Sequence, residues 1–427
     1  MNDPSVWLTW TIFTLTYVGL ALGKAPGLRM DRAGIALVGA TLMLVTGMLS
    51  LQQAVSPESI DFKTLFLLFG MMIVVGVLRL SGFFERLVGI AVRRITTPKG
   101  LLAATIFLSG MFSAFLINDV VCVALTPLVL LVARRKNFDP IPHLIGLATA
   151  ANVGSTGTIT GNPQNIYIGT HSGISYFRFA FRLLPLAMLG LGLTYLVVSR
   201  VYRSRLAVCE EQVPPGKDEA RAEGREIEGV PRSRGHARLQ AKAVTVTLAA
   251  VTLFFTGLPL ELVALGAAAV LLLDRIKPEK VFRQVDWSLL VMFTGLFIVV
   301  RAFQVHVVAG WGIEGWTWLL NRPTDLLSLV SAALSNLVSN VPAVLLLEPV
   351  AQAVPEATRE TAWLALAMSS TFAGNLTVLG SVANLIVVEI AARRGVAISF
   401  WEYCKVGIPL TLLTLVLGIV WLQFVRY

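Results

Sequence analysis

The sequence predicts an all-α polytopic membrane protein made of two inverted repeats, with about ten transmembrane helices, two re-entrant hairpins and discontinuous helices near the middle of the membrane. Three observations support this fold class. Hydrophobic residues make up 56% of the 427-residue chain and charged residues only 14%, whereas an average soluble domain has about 25% charged residues. Long apolar runs recur from one end of the chain to the other. Finally, one order of sequence features appears twice.

Apolar runs of sufficient length predict the membrane spans. Two of the runs contain a polar, glycine-rich stretch, GSTGTITGNPQN from Gly154 and TFAGNLTVLGSVAN from Thr371, which predicts broken helices there. In chain order the predicted spans are 5–23, 33–51, 62–80, 141–170, 177–202, 241–256, 258–274, 286–304, 361–391 and 400–424.

Two further apolar stretches, 101–134 and 324–354, are interrupted halfway along by polar residues. Each is too long for a single straight span, and each contains a proline after the polar interruption. We therefore expect two re-entrant hairpins with polar tips. The tip residues are Asn118 and Asp119 in the first hairpin, and Ser339 and Asn340 in the second.

Lysine and arginine are concentrated in alternate loops, which predicts orientation because such loops stay in the cytoplasm. Basic residues flank the first hairpin, whereas the loops near 56–61, 171–176 and 354–360 contain few. The hairpins then open to opposite sides of the membrane, and both termini lie outside. These loops also account for the net charge of +10. The charge is therefore explained by orientation in membrane lipid, and no nucleic acid is expected as a partner.

One polar segment, 204–240, has too few apolar residues to form a core and is predicted to be a flexible cytoplasmic linker. It divides the chain into a first transmembrane repeat, 1–203, and a second, inverted transmembrane repeat, 241–427.

Matching features in the two halves are the strongest indication of function. The same order of span, hairpin and broken span with a Thr-x-x-Gly-x-x-x-Asn motif occurs in each half, and inverted repeats with discontinuous helices are typical of secondary transporters. The matched pairs are Asp61 and Asp286, Asn118 and Asn340, Thr158 and Thr377, and Asn165 and Asn384.

The breaks and hairpin tips predict the substrate and ion site, because irregular backbone at membrane depth is tolerated only where it lines a cavity or is buried in protein. Half-helix N-termini offer free N–H groups to an oxyanion or hydroxide, and C-terminal ends offer carbonyls to a cation. Amide and hydroxyl side chains add donors and acceptors without fixed charge. The candidate binding residues are Asn118, Asp119, Ser155, Thr156, Thr158, Asn162, Asn165, Ser339, Asn340, Asn375, Thr377, Ser381 and Asn384.

Asp119 is the carboxylate predicted to lie deepest in the membrane, and we expect it to carry the coupled proton, although a structural cap is an alternative. Glu348 is a weaker candidate because it could reach the outer interface. The histidines and cysteines show no metal-ligand spacing, so no metal site or other cofactor is expected. Catalytic motifs such as HExxH and GxSxG are absent from the sequence, which disfavours an intramembrane enzyme.

Four stretches resemble the motifs of the ion transporter superfamily, in particular its ArsB/NhaD-type branch of arsenite efflux pumps, sodium–proton antiporters and YbiR-like inner-membrane proteins. The stretches are INDVVCVALTPLVLL, ANVGSTGTITGNPQNIYIG, SNLVSNVPAVLLL and AGNLTVLGSVANLIVV. The resemblance implies elevator-type alternating access, coupling to H⁺ or Na⁺ and an inner (plasma) membrane location. It also implies a homodimer, and for some arsenite pumps a separate ATPase subunit.

The hairpin tips lack the full Ser-Asn-Thr motif that the dicarboxylate-transporting relatives use for sodium and substrate. The aspartate beside Asn118 instead favours proton coupling. The leading expectation is therefore proton-coupled efflux of arsenite or a similar small inorganic oxyacid or anion. The alternatives are a Na⁺/H⁺ antiporter, a Na⁺-coupled anion or dicarboxylate transporter on the same scaffold, and an ion channel.

Overall fold

Most residues are helical in the part of the chain that the computed structural model describes, residues 4–22, 30–207, 234–274 and 276–424. No β-strand occurs in these residues. The first half contains ten α-helices and one 3₁₀ turn at Ile159–Gly161. These helices are α1 Pro4–Leu22, α2 Arg32–Val45, α3 Leu51–Ala54, α4 Phe62–Leu80, α5 Phe83–Arg94, α6 Pro98–Phe115, α7 Asn118–Arg135, α8 Pro140–Ser155, α9 Pro163–His171 and α10 Tyr176–Val201.

The second half repeats this order, with a 3₁₀ turn at Val378–Gly380 in the equivalent place. Its helices are α11 Arg234–Phe254, α12 Leu260–Leu272, α13 Pro278–Phe282, α14 Trp287–His306, α15 Thr317–Leu320, α16 Leu326–Val338, α17 Asn340–Ala353, α18 Glu356–Ala373, α19 Val382–Arg393 and α20 Phe400–Phe424. Helix α11 begins within the segment predicted as a linker, and residues 208–233 of that segment lie outside the described residues.

Equivalent helices begin in the same way in the two halves. Asp61 caps α4 by accepting a hydrogen bond from the backbone N–H of Thr64 at 3.2 Å. Asp286 caps α14 by accepting from the N–H of Leu289 at 2.9 Å. An aspartate at this position satisfies one of the free N–H groups of the first turn. The matched aspartates of the sequence therefore occupy matched structural positions.

The halves interlock through two close helix–helix contacts that involve glycine. Helix α4 packs on α12, and α14 packs on α2. A Cβ placed on Gly70 of α4 would lie 2.7 Å from the carbonyl carbon of Ala264 on α12, and one placed on Gly295 of α14 would lie 2.7 Å from that of Ala36 on α2. Both separations are too short for a side chain, so glycine is required at each crossing for the backbones to approach this closely.

Seven of the described helices are long and apolar enough to cross a membrane by length and composition. They include α1, α4, α6, α10 and α20, and the predicted broken spans are each divided into two helices with a 3₁₀ turn between them. Helices α2 and α12 have only 14 and 13 residues. Helix α6 of the first hairpin has 18 residues and is by itself long enough to cross a membrane. The re-entrant character of that hairpin therefore stays a prediction. The inversion of the two halves across the membrane also stays a prediction.

The outer surface of the helices exposes many large apolar side chains, as expected of a protein surrounded by lipid. Leu15 is 65% exposed, Met188 65%, Leu337 66% and Val416 62%. Polar side chains are instead buried around the two helix breaks, which is the reverse of the distribution in a soluble protein.

Candidate functional site

An asparagine ties each helix break to the half-helix that follows it. Asn165 Nδ2 on α9 donates to the carbonyl oxygens of Ser155 at 3.1 Å and Thr158 at 3.0 Å. Asn384 Nδ2 on α19 donates to those of Gly374 at 2.7 Å and Thr377 at 3.1 Å. The carbonyls at the end of a helix lack intrahelical partners, so these amides replace the missing hydrogen bonds and hold both breaks in the same shape.

Asn152 on α8 lies at the centre of the polar cluster and joins the two halves of the chain. Its Nδ2 donates to Asn375 Oδ1 at 2.9 Å and to Asn384 Oδ1 at 3.0 Å. Its Oδ1 accepts from Ser381 Oγ at 3.0 Å and from Asn118 Nδ2 at 3.1 Å. One fully buried amide therefore contacts a hairpin tip and both ends of the opposite break.

A second contact between the halves is made by Thr371 on α18, which occupies the position equivalent to Asn152 when Asn165 is aligned with Asn384. Thr371 Oγ1 accepts from Asn162 Nδ2 at 3.2 Å and from Gln164 Nε2 at 3.1 Å. Asn162 also caps α9, because its Oδ1 accepts from the N–H of Asn165 at 2.8 Å. Each break is thus bonded to the half-helix that precedes the other.

The two hairpin tips form hydrogen bonds with different members of this network. Asn118, at the start of α7, contacts Asn152, and its own Oδ1 is buried without a hydrogen-bond donor among the described residues. Asn340, at the start of α17, donates to the carbonyl oxygens of Ser370 at 3.0 Å and Gly380 at 3.3 Å, and accepts from Gln164 at 3.2 Å, in the amide orientation that satisfies its neighbours.

Not all predicted residues direct a side chain into the network. Thr156 donates to the carbonyl of Asn152 within its own helix end at 3.4 Å. Ser155 donates to the same carbonyl at 2.8 Å, but its Oγ also accepts from Asn162 Nδ2 at 3.0 Å and so belongs to the network. Thr158 donates to the carbonyl of Ala114 on α6. Ser339 adopts φ +77° and ψ 161°, a conformation that is strained for any residue except glycine, and forms the turn between α16 and α17.

Asp119 is buried beside this cluster, with 8% of the residue exposed. No described residue donates a hydrogen bond to its carboxylate or forms an ion pair with it within 4.0 Å. The charges that act most strongly on it are those of Asp286 and Arg32, which stand at the N-terminal ends of α14 and α2. A buried carboxylate without a bonded partner has a high energetic cost when ionised, which favours a group that binds and releases a proton.

The chemical character of the cluster is neutral and rich in hydrogen-bond acceptors. Besides Asn118 Oδ1, the amide oxygens of Asn165 and Asn336 are buried with no donor in the described chain. Neither lysine nor arginine hydrogen-bonds to the cluster within the same residues. Such a site can accept hydrogen bonds from the O–H groups of a ligand, but it offers no fixed positive charge to a polyanion.

A cavity of about 770 Å³ lies next to the cluster, on the side of the loops predicted to be outside. Asp61, Tyr167, His171, Arg301, Glu348 and Gln352 are among the residues that line it. None of the predicted site residues is among the lining residues.

Four polar residues of the network were absent from the sequence-based prediction: Asn152, Gln164, Asn336 and Thr371. Asn152 has a threonine at the equivalent position of the other half, so a search for matched amides passes over it. The available signal was a lone asparagine in the apolar run LIGLATAANV, which is costly to bury without a partner.

Comparison with known proteins agrees with this description. The model of the citrate transporter family, CitMHS, matches residues 17–373. The silicon efflux transporter LSI3 of Oryza sativa subsp. japonica is 33% identical, and the match covers 97% of both chains. A putative transporter named arsB of Dictyostelium discoideum is 25% identical over 97% of this chain and 91% of its own.

Two solved transporters share the fold. The YdaH transporter of Alcanivorax borkumensis superposes with a TM-score of 0.61 at 17% identity, covering 98% of this chain and 96% of its own. MtrF of Neisseria gonorrhoeae superposes with a TM-score of 0.59 at 13% identity, covering 99% and 95%. The resemblance drawn from the sequence motifs is therefore confirmed: the chain belongs to the CitMHS citrate transporter family, within the ArsB/NhaD-type ion transporter superfamily, and is a secondary membrane transporter.

Proposed function

We propose that this transporter exports a small uncharged inorganic oxyacid, arsenous acid (arsenite) or a close analogue such as silicic acid, in exchange for protons, by elevator-type alternating access. The observation that carries the proposal is the buried cluster around Asn152, which presents amide oxygens without donors, such as those of Asn118 and Asn165.

The chemistry of such an acid fits the cluster. Arsenous and silicic acids are neutral near pH 7 and carry several O–H donors, so acceptors without a donor are the groups that would recognise them. A citrate-like polyanion would instead require cationic side chains, because charge-assisted hydrogen bonds dominate carboxylate recognition. The names of two relatives, a silicon efflux transporter and arsB, support the same substrate class.

Asp119 supplies the coupling group in this proposal. Its carboxylate is buried one residue after Asn118, which is bonded to the centre of the cluster. A proton bound to Asp119 neutralises the carboxylate and removes the energetic cost of burying it. Release of that proton to one side of the membrane leaves a negative charge that must be hydrated. Occupation of the adjacent cluster by substrate would thus be linked to the protonation of this side chain.

The test is uptake of arsenous acid, and separately of silicic acid, by everted membrane vesicles energised with a proton gradient. Wild-type protein should accumulate at least one of them, and an uncoupler should abolish the accumulation. Asp119→Asn should abolish proton-driven accumulation, whereas the matched control Asp31→Asn should not, since Asp31 is an exposed N-cap of α2 and asparagine caps equally well.

Accumulation that follows a sodium gradient and ignores the uncoupler would reject proton coupling in favour of sodium. Absence of transport of both acids by correctly folded wild-type protein would reject the substrate class.

A further inference from the structure

The cavity beside α9 contains a second buried carboxylate, Glu348, that the proposed exchange at Asp119 does not use. Glu348 lies on α17, the helix that follows the second hairpin tip, and is 8% exposed. Tyr167 donates its O–H to one carboxylate oxygen, and Gln352 Nε2 donates to the other at 2.8 Å. Both donors are neutral.

No described cationic side chain forms an ion pair with Glu348. The one arginine of the cavity wall, Arg301, pairs instead with Glu58 at 3.1 Å. A buried carboxylate held only by neutral donors remains costly to ionise. It borders a space of about 770 Å³, ample for many waters at about 30 Å³ each. A proton from water in this cavity can therefore neutralise the Glu348 carboxylate.

The other titratable groups near Glu348 form a continuous constellation. The His171 ring stacks on the Tyr167 ring with centroids 4.1 Å apart, and its Nδ1 lies 3.5 Å from Asp61 Oδ2. Asp61 also accepts from Thr170 Oγ1 at 2.8 Å. The side chain of His171 is 28% exposed. His171, Asp61, Tyr167 and Glu348 all line the same cavity.

The two buried carboxylates face opposite halves of the chain. Asp119, on the helix after the first hairpin tip, is influenced by Asp286, the N-cap of α14. Glu348 is bonded to Tyr167, which lies near Asp61, the equivalent N-cap of α4. Each hairpin therefore has its own buried carboxylate, and each carboxylate is associated with the N-cap aspartate of the opposite half.

We propose that Glu348 is a second proton-binding site of the transporter, open to the cavity that it shares with His171 and Asp61 and distinct from Asp119. The site would take a proton from the cavity side of the protein, and Asp119 would exchange it on the other side. The inference rests on the proposed proton coupling for its role in transport, but the binding of a proton by Glu348 can be measured without any substrate.

The experiment is infrared difference spectroscopy of the purified full chain in lipid nanodiscs between mildly acidic and mildly alkaline pH, without substrate. Wild-type protein should show the C=O band of a buried protonated carboxylic acid, and Glu348→Gln should lose one component of that band. Glu389→Gln is the matched control, because that carboxylate is 63% exposed on α19, is paired with Arg393 and does not line the cavity. It should leave the band unchanged.

An unchanged spectrum in Glu348→Gln would overturn the proposal. Should that variant fail to fold, Glu348→Asp keeps a carboxyl group but moves it away from Tyr167, and must then shift the same component; a spectrum identical to wild type would again overturn it.

Transport measurements distinguish a failure of this inference from a failure of the proposed function. In proteoliposomes, Glu348→Gln should retain equilibrium exchange of arsenous acid, which moves no net proton, and lose accumulation driven by a pH gradient. If wild-type protein transports neither arsenous nor silicic acid, the proposed function fails and the infrared result alone decides on Glu348. Retention of full gradient-driven accumulation in Glu348→Gln would overturn its part in coupling.

Discussion

Asn152 Nδ2 and Asn384 Oδ1 are 3.0 Å apart, and this hydrogen bond joins the first half of the chain to the second across 232 positions of sequence. Asn384 uses its other amide atom to hold the carbonyls of its own helix break. The pair therefore transmits the position of one break to the half-helix before the other. A transporter whose conformational change takes place at the helix breaks would need such a link so that its two halves move together.

Replacement of Asn152 should be the most damaging single change in the cluster. Asn152→Ala removes the partner of Asn118, Asn375, Ser381 and Asn384 at once, and each buried polar group left without a partner costs about 1–3 kcal/mol. We expect a large fall in thermal stability in detergent, measured by fluorescence-detected size-exclusion after heating, together with loss of transport. Asn321→Ala, at an exposed position, should change stability by less than about 0.5 kcal/mol. Equal thermal midpoints for the two variants would contradict the central role of Asn152.

Both asparagines that hold the helix breaks should contribute to stability, Asn384 more than Asn165. Asn165→Ala and Asn384→Ala each free two carbonyl oxygens at a break, and we expect each to cost at least about 1–3 kcal/mol. Asn384→Ala should cost more, because it also removes the bond to Asn152. The measurement is the thermal midpoint of each variant and of the double variant. A stable Asn384→Ala protein beside an unstable Asn165→Ala protein would show that the two breaks are not held alike.

The glycine crossings predict steric sensitivity at matched positions. Gly70→Ala and Gly295→Ala each place a methyl group 2.7 Å from a backbone carbon of the opposing helix, and overpacking of this kind costs about 1–3 kcal/mol. Gly266→Ala is the control: it lies on α12 and a Cβ there meets nothing within 4 Å. That substitution should instead raise helix stability by about 0.5–1 kcal/mol. Destabilisation by all three substitutions would indicate an effect of helix propensity or lipid contact rather than of the crossings.

The predicted orientation can be tested by cysteine labelling in intact cells. Ala357 lies in a loop region predicted to be outside and Ser204 in one predicted to be cytoplasmic, and both are exposed. In a background in which Cys122, Cys209 and Cys404 are replaced by serine, an impermeant maleimide should label Ala357→Cys in intact cells. Ser204→Cys should react only after the membrane is opened. The reverse pattern would place the whole molecule in the opposite orientation.

The position of the site could be predicted from the sequence because glycine-broken polar stretches inside apolar runs leave few alternatives in a membrane. Asn118, Asn165, Asn340 and Asn384 were identified as matched amides, and all four lie in or beside the polar network. The sequence could not show which hydrogen bonds each of these amides forms. Asn165 and Asn384 both donate to backbone carbonyls, but the amide oxygen of Asn384 accepts from Asn152, whereas those of Asn118 and Asn165 have no donor among the described residues.

Asp61 is another residue whose long-range contacts could not be predicted from the sequence. It stands at the start of a predicted span, and one of its carboxylate oxygens caps α4. The other oxygen contacts Thr170 and His171, which are more than a hundred positions away in sequence. A cap is a local interaction that spacing alone can indicate, whereas the second contact depends on how α9 packs against α4.

The sequence by itself determined the membrane class, the order and approximate bounds of the helices, the two breaks and the repeated motifs, since hydropathy and local backbone chemistry are read within a single segment. Only the tertiary structure decided that Asn152 is the centre of the cluster and that Glu348, Tyr167, His171 and Asp61 share one cavity. The physical reason is that a hydrogen bond or an ion pair depends on distances between segments far apart in the chain, and those distances are set by helix packing across both halves at once.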